Sequence, residues 1–241
     1  MKLYIVGTGP GSIKQMTEAA LNAIRESEVI VGYDKYIELI KEEIKGKEIY
    51  TSPMRSEKER CQKAVEYALS VKVTAVVSSG DAGVYGMAGL VYEIAADHKE
   101  LEIEVIPGIT AAVSAAAVLG APLMHDFAVI SLSDLLTPWE KIEKRLKAAA
   151  DADFVICLYN PGSRKRADYL KRACEYILEY KTADTKCGWV RNIDRDGEES
   201  GICDLGELIN FNADMFTTVI IGNSATKVIN GKLVTPRGYD I

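Results

Sequence analysis

The chain predicts an α/β fold in two domains, and three observations lead there. Short β-branched and apolar runs alternate with amphipathic helical stretches from the start, beginning with Lys2 to Val6 and then Thr17 to Glu26. Glycine-rich loops join several of these runs to the helices that follow, above all Ser78-Ser79-Gly80-Asp81-Ala82-Gly83-Val84-Tyr85-Gly86-Met87-Ala88-Gly89. Near the midpoint Gly120-Ala121-Pro122 punctuates the chain and the alternation restarts, which sets an N-terminal domain over 1–120 and a C-terminal domain over 121–241.

In order, Lys2 to Val6 is a buried strand that Gly7-Thr8-Gly9-Pro10-Gly11-Ser12 breaks ahead of the first helix, with Thr17 as N-cap. That loop is close to a dinucleotide fingerprint. However, Pro10 lacks the N–H a phosphate cradle wants and no third glycine follows, which leaves a prolyl ring pressed on a ligand or a purely structural turn. Glu28 to Gly32 is a second strand, Tyr36 to Lys45 a helix and Lys47 to Tyr50 a short third strand. Ser56 to Ser70 has helical spacing, with Ser56 and Glu59 set as a capping box. It leads into the strand Val73-Thr74-Ala75-Val76-Val77, the glycine loop and the apolar Leu90 to Ile94. Glu102 to Ile106 is the next strand, and Pro107-Gly108-Ile109-Thr110 opens an alanine-rich helix, Ala111 to Leu119, whose small side chains suit close packing on a sheet or a second subunit.

The second half begins with a strand from Phe127 to Leu132. Thr137 as N-cap, Pro138 at the first helical position and Glu140 three residues after the cap then start a helix that runs to about Ala150. Asp153 to Leu158 is a strand, Arg164 to Tyr180 a helix, Lys186 to Val190 a strand and Phe216 to Ile221 the last long strand. Asp196-Gly197, between Val190 to Ile193 and Ile202, reads as a hairpin turn, so some antiparallel pairing belongs to this half.

Composition excludes more than it selects. Of 241 residues, 48% are hydrophobic and 27% charged, as in an ordinary globular protein. The formal charge of −6 argues against a broad nucleic-acid footprint. Five cysteines, odd in number and without a CxxC pair, signal neither a disulfide framework nor a zinc site, so no metal is expected and a reducing cytoplasm fits. The apolar opening Met1 to Val6 turns at Gly7, too short for a signal peptide or a membrane span, so no membrane association is expected.

The glycine loop after the Val73 to Val77 strand lets a ligand approach backbone, and Asp81 sets one carboxylate at the strand's carboxyl end, where open α/β sheets bind ligands. Asp81 either orients a ligand or bonds loop N–H groups, as carboxylates in turns do. A tight turn without a ligand is the plainer alternative for the whole loop. His125, one of two histidines, follows the domain boundary and can exchange a proton near neutral pH; a histidine satisfied in a turn is the alternative. Ser131, Ser133 and Asp134 form a polar run after a strand, either functional or simply an entry to the next helix.

Taken together, Val6-Gly7-Thr8-Gly9-Pro10-Gly11, Ser79-Gly80-Asp81 with Val84 and Tyr85, and Val105-Ile106-Pro107-Gly108-Ile109-Thr110-Ala111 resemble the S-adenosylmethionine-dependent tetrapyrrole methylases of cobalamin and sirohaem synthesis. In the second half, Gly120 to Phe127, Ile130 to Trp139, Leu158-Tyr159-Asn160-Pro161-Gly162-Ser163-Arg164 and Thr235-Pro236-Arg237-Gly238-Tyr239 resemble the ring-contracting branch, which methylates C17 of precorrin-3B or cobalt-precorrin-3. The resemblance covers essentially the whole chain. It implies two unequal α/β domains of the tetrapyrrole methylase type with the active site in the trough between them, a homodimer, and a corrinoid substrate that brings any cobalt with it. S-adenosyl-L-homocysteine is then the product of the donor.

By the same resemblance Pro10, Gly80, Asp81, Val84, Thr110 and Ala111 match cofactor-contacting positions. Tyr159 and Asn160 stand where the family meets adenosine, Asn160 replacing the methionine of most relatives, and Arg191, Asn192, Thr218 and Gly222 stand at strand ends that close the adenine pocket. His125, Asp81 and Ser131 are the catalytic candidates, because ring contraction moves protons and needs a general acid or base. Arg55, Arg164 and Arg191 are candidates for the many substrate carboxylates, which suit arginine's bidentate geometry. Two rival readings are methylation of another corrin carbon or of uroporphyrinogen by the same fold, and a non-catalytic binding protein that retains the fold.

Overall fold

The computed structural model describes residues 1–70, 72–163 and 167–240. They form two compact units, Met1–Ala111 and Ala112–Ile241.

The first unit alternates strand and helix: β1 (Lys2–Gly7), α1 (Glu18–Glu26), β2 (Val29–Tyr33), α2 (Asp34–Leu39), β3 (Glu48–Ser52), α3 (Glu57–Leu69), β4 (Thr74–Ser78), α4 (Ala88–Ile94) and β5 (Glu102–Ile106), with α5 (Ala111–Leu119) beginning at its last residue. All five strands are parallel, in the order β3-β2-β4-β1-β5. A parallel sheet is covered on both faces, which is why its strands read as unbroken apolar runs. Leu3, Ile5, Val31 and Val76 pack against Cys61, Ala64, Val65 and Ala68 of α3 on one face. Val6, Ile30, Ala75 and Val77 pack against Ile24, Ile37, Ile40 and Ile44 on the other.

Thr17 caps α1 as expected, its hydroxyl accepting the Ala20 N–H at 3.1 Å. Two local expectations differ. The helix expected over Tyr36 to Lys45 stops at Leu39, and the chain continues in three-residue turns (Glu43 N–H to Ile40 O, Lys47 N–H to Ile44 O) that keep Ile40 and Ile44 buried. The Ser56 capping box does not form. Ser56 sits at φ −107°, ψ 31° with no side-chain cap, and Glu59 instead accepts the Tyr50 hydroxyl at 2.6 Å.

The second unit contains β6 (Gly120–Ala121), β7 (Phe127–Ser131), α6 (Trp139–Asp151), β8 (Val155–Tyr159), α7 (Tyr169–Ile177), β9 (Lys186–Arg191), β10 (Glu199–Asp204), α8 (Leu205–Leu208), β11 (Thr217–Ile221), β12 (Lys227–Ile229) and β13 (Lys232–Val234). Its main sheet runs β10-β9-β11-β8-β7, with β7 and β8 parallel and the other pairings antiparallel, including the β9–β10 hairpin across Asp196-Gly197. A core of Leu132, Ile142, Leu146, Ile156, Leu158, Leu170, Cys174 and Ile177 joins this sheet to α6 and α7.

Helix α6 starts one residue later than expected. Pro138, at φ −55° and ψ 141°, is its N-cap and Thr137 makes no cap. Trp139 anchors the start through its packing, its ring tilted against that of Tyr169 with centroids 4.4 Å apart, bonded through Nε1 to the Tyr176 hydroxyl at 3.2 Å and covered by Arg172. The division between units falls at Ala111 and Ala112 rather than after Gly120. Strand β6 pairs with β13, Thr235 donates its N–H to Ala121 O, and Lys232 Nζ reaches Val118 O at 2.9 Å, which ties residues 118–121 to the second unit.

Candidate active site

Three loops leave the carboxyl ends of β1, β4 and β5, the neighbouring strands at one side of the first sheet, and they are joined backbone to backbone. Thr8 N–H donates to Ser78 O at 2.8 Å, while Gly9 and Gly80 exchange N–H···O bonds of 3.1 and 2.7 Å. No side chain fits at the crossing. A Cβ on Gly108 would stand 2.2 Å from Gly80 O, and one on Gly7 would stand 2.6 Å from the Gly108 nitrogen.

Asp81 is the knot of the cluster. Its Oδ1 accepts the N–H groups of Gly83 (2.8 Å) and Val84 (3.2 Å), and its Oδ2 accepts the Gly108 N–H at 3.0 Å. With both oxygens committed to three backbone donors, the carboxylate shapes the loops and is not set up as a proton carrier. Gly80, by contrast, sits at φ +70°, and a Cβ there would meet nothing closer than the Thr110 Cα and Ala111 nitrogen at 3.9 Å. That side of Gly80 is therefore space walled by backbone at the start of α5. Of the predicted cofactor residues, Pro10 (buried), Gly80, Asp81, Val84, Thr110 and Ala111 lie on these three loops.

A second group gathers at the carboxyl ends of β7, β8 and β9. Asn160, at φ 54°, donates through Nδ2 to Ser131 Oγ at 3.0 Å, which also accepts the Ser133 N–H. Asn192, at φ 52°, bonds to Phe216 O through its N–H and to Gly197 O through Nδ2. Two non-glycine residues in left-handed backbone follow β8 and β9, the strands that flank β11, and backbone of this kind collects at functional sites. The Tyr159 hydroxyl accepts the Ala112 N–H at 2.7 Å and so caps an otherwise orphaned donor of α5. Thr218 is buried in β11 opposite Val190.

Three expectations need correction. Gly222 lies at the opposite end of the second sheet: β11 runs antiparallel to β9, so Gly222 N–H meets Lys186 O where β9 begins, away from Arg191 and Asn192. Arg191 offers no free fork to a substrate carboxylate. Its guanidinium bonds to Asn212 O at 2.8 Å and Glu199 at 3.4 Å, pairs with Asp214 at 3.5 Å and stacks near Trp189 and Phe211. Asp81 is occupied as described. Arg55, at φ 73°, stands exposed after edge strand β3, apart from the three-loop cluster, and Arg164 lies outside the described residues.

His125 places Nε2 3.0 Å from Pro236 O. A carbonyl only accepts, so Nε2 is the donor in this contact, and the neutral tautomer that makes it has its lone pair on Nδ1. The contact also joins two distant motifs, since β6 pairs with β13 and the Thr235 hydroxyl bonds to that of Thr226 at 2.7 Å. Among the described residues no acidic, histidine or cysteine cluster is arranged to hold a metal ion, and no helix is long and apolar enough to cross a membrane.

With this geometry in hand, comparison with known proteins is direct. The chain is 48% identical over 240 residues to the "Probable cobalt-factor III C(17)-methyltransferase" of Salmonella typhimurium, covering 99% of this chain and 100% of that one. It is 49% identical over 243 residues to the "Cobalt-factor III methyltransferase" of Priestia megaterium, but spans only 45% of that longer protein. The crystal structure of the methyltransferase CobJ superposes with a TM-score of 0.89 at 35% identity, covering 97% of this chain and 99% of that one. The family pattern of the tetrapyrrole (corrin/porphyrin) methylases matches residues 2–209, and the chain belongs to that family.

Proposed function

We propose that this chain uses S-adenosylmethionine to methylate C17 of cobalt-factor III or precorrin-3B, with contraction of the macrocycle, in cobalamin biosynthesis. The observation that carries the reading is the three-loop cluster, in which Gly80 leaves backbone-walled space beside Thr110 and Ala111 while Asp81 locks the loops around it. The full-length likeness to relatives named for C17 methylation supports the choice of carbon.

When bound, S-adenosylmethionine supplies an already activated methyl group, so the protein's share of the reaction is positioning and proton handling. Pro10, Gly80, Val84, Thr110 and Ala111 would hold the donor through backbone and small side chains. Asp81 keeps those loops in register. In the second unit Ser131, Tyr159, Asn160, Asn192 and Thr218 are retained as ligand-facing candidates. His125, with its lone pair on Nδ1, is the proton carrier for the contraction step. The five free thiols support a reducing compartment such as the cytoplasm, and sedimentation tests the homodimer that the reading includes.

The test is incubation of the purified protein with S-adenosylmethionine and cobalt-factor III or precorrin-3B, following product mass and absorbance. The expected product gains one methyl and the spectrum of a contracted ring. A methylated product with an unchanged chromophore would keep the methylase and remove the contraction. No S-adenosylhomocysteine uptake by calorimetry would remove both.

A further inference from the structure

Helix α3 carries an arginine inside the core. Arg60 is 3% exposed, and its neighbours on that helix face are Cys61, Ala64, Val65 and Ala68. Its Nε bonds to Ser52 Oγ at 3.0 Å, and one terminal nitrogen bonds to Ser52 O at 3.3 Å and Pro53 O at 2.9 Å. Among the described residues the other terminal nitrogen meets only the Met87 thioether sulfur, at 3.6 Å. The Tyr33 ring lies 5.8 Å away. Among the described residues no carboxylate comes within ion-pair distance of Arg60, so a buried, permanently charged guanidinium has neutral partners throughout. Such a charge is costly to bury unless something negative completes it.

The sheet register sets a second donor two strands from Ser52, on the far side of Tyr33. Tyr33 pairs with Ser52, and Gly32 pairs with Val77, so Ser52, Tyr33 and Ser78 stand side by side at the carboxyl ends of β3, β2 and β4. All three share the α3 face with Val31 and Val76. Ser78 is 4% exposed, and its hydroxyl has no partner among the described residues. Beside it begins the glycine loop that Met87 closes.

We propose that Arg60 and Ser78 form a buried site for a single ligand carboxylate, which binds the underused terminal nitrogen of Arg60 as Met87 yields. The thioether is a weak acceptor on a flexible chain, so a carboxylate displaces it readily. The carboxylate belongs either to the amino-acid end of the methyl donor or to an acid arm of the macrocycle. Naming these two sources rests on the proposed function; the site itself does not.

The test compares the full-length wild type with Arg60→Met, which keeps the length and loses the fork, and with Arg60→Lys. If the donor is the source, Arg60→Met weakens S-adenosylhomocysteine binding in calorimetry at least tenfold, leaves the decarboxylated analogue unchanged, and is partly rescued by Arg60→Lys. If the macrocycle is the source, S-adenosylhomocysteine affinity is unchanged and KM for cobalt-factor III rises at least tenfold with kcat held. Acetate provides the arm independent of methylation: at constant ionic strength it raises the melting temperature of wild type saturably and that of Arg60→Met not at all. An acetate effect in a chain that ignores S-adenosylhomocysteine keeps this site and overturns the methylase reading. The proposal is overturned if folded Arg60→Met matches wild type in all three readouts, or if it loses S-adenosylhomocysteine and the decarboxylated analogue equally, which would make Arg60 a prop for the loop. Should Arg60→Met fail to fold, Ser78→Ala takes its place in the same three measurements, with at least a threefold loss expected and no loss overturning the proposal.

Discussion

Gly108 has room for a hydrogen and nothing larger, since a Cβ would stand 2.2 Å from the Gly80 carbonyl oxygen. Gly108→Ala must push two loops apart; we expect a loss of about 1–3 kcal/mol in chemical denaturation, together with loss of S-adenosylhomocysteine binding. Asp81→Asn turns one acceptor oxygen into a donor that faces an N–H, so at least one of the bonds to Gly83, Val84 or Gly108 is lost. The expected cost is about 1–3 kcal/mol with weakened donor affinity by calorimetry. For His125→Ala we expect turnover to fall by roughly 10²-fold while S-adenosylhomocysteine affinity is unchanged; unaltered turnover strikes His125 from the mechanism. At this scale the sequence marked the glycines and Asp81, because loop chemistry is local. It did not show that Arg191 is taken by Glu199, Asp214 and Asn212, since two of those partners come from an intervening loop that only folding brings back to β9. Arg60 did carry a sequence signal: its spacing to Ala64 and Ala68 sets it on the buried face of α3.

Between elements, a charged staple joins the start of β8, the end of α7 and the loop after β11. Lys181, with only 4% of its side chain exposed, reaches Asp153 at 2.8 Å, and Ser224 donates its N–H and hydroxyl to the same carboxylate. Burial alone would raise the Asp153 pKa, but the Lys181 and Ser224 bonds together outweigh it, so the carboxyl lies below its ordinary value. A depressed pKa adds stability above the unfolded-state pKa, and that stability is lost as pH falls through the folded-state value. Asp153→Ala is therefore expected to destabilise at neutral pH and to lose this effect in acid, as read from melting curves across pH. Asp153 is itself 45% exposed, so the neutral-pH loss is held to about 1–2 kcal/mol. Periodicity found the long strands and helices here. The caps at Ser56 and Thr137 were misread because a cap needs a backbone angle as well as a residue type, while the capping box that does form, Asp204 with Glu207, opens a four-residue helix too short for periodicity to mark.

Across the whole molecule four of the five cysteines act as buried hydrophobes, and Cys203 is half-buried. Burial pushes the thiols of Cys61 and Cys203 up to about 11 and those of Cys157 and Cys174 up to about 12, with Cys187 raised well above its usual value. All are protonated at neutral pH, and the thiolate is the reactive form. Iodoacetamide at pH 7 is expected to label the native chain slowly and all five positions in denaturant, so mass spectrometry of labelling follows unfolding. Rapid native labelling of Cys157 or Cys174 would contradict the core described here.

The sequence by itself determined the α/β class, most long elements, the glycine loops and the family likeness, because strand and helix periodicity and turn chemistry are written over a few neighbouring residues. Only the tertiary structure decided what those residues meet. The direction of β11 sends Gly222 to the far end of its sheet, the pairing of β6 with β13 carries residues 118–121 into the second unit and brings His125 to Pro236, and the register of β2, β3 and β4 sets Ser78 beside the ring that lies near Arg60. Strand direction and register are settled by contacts between segments far apart in the chain, and no local pattern encodes them.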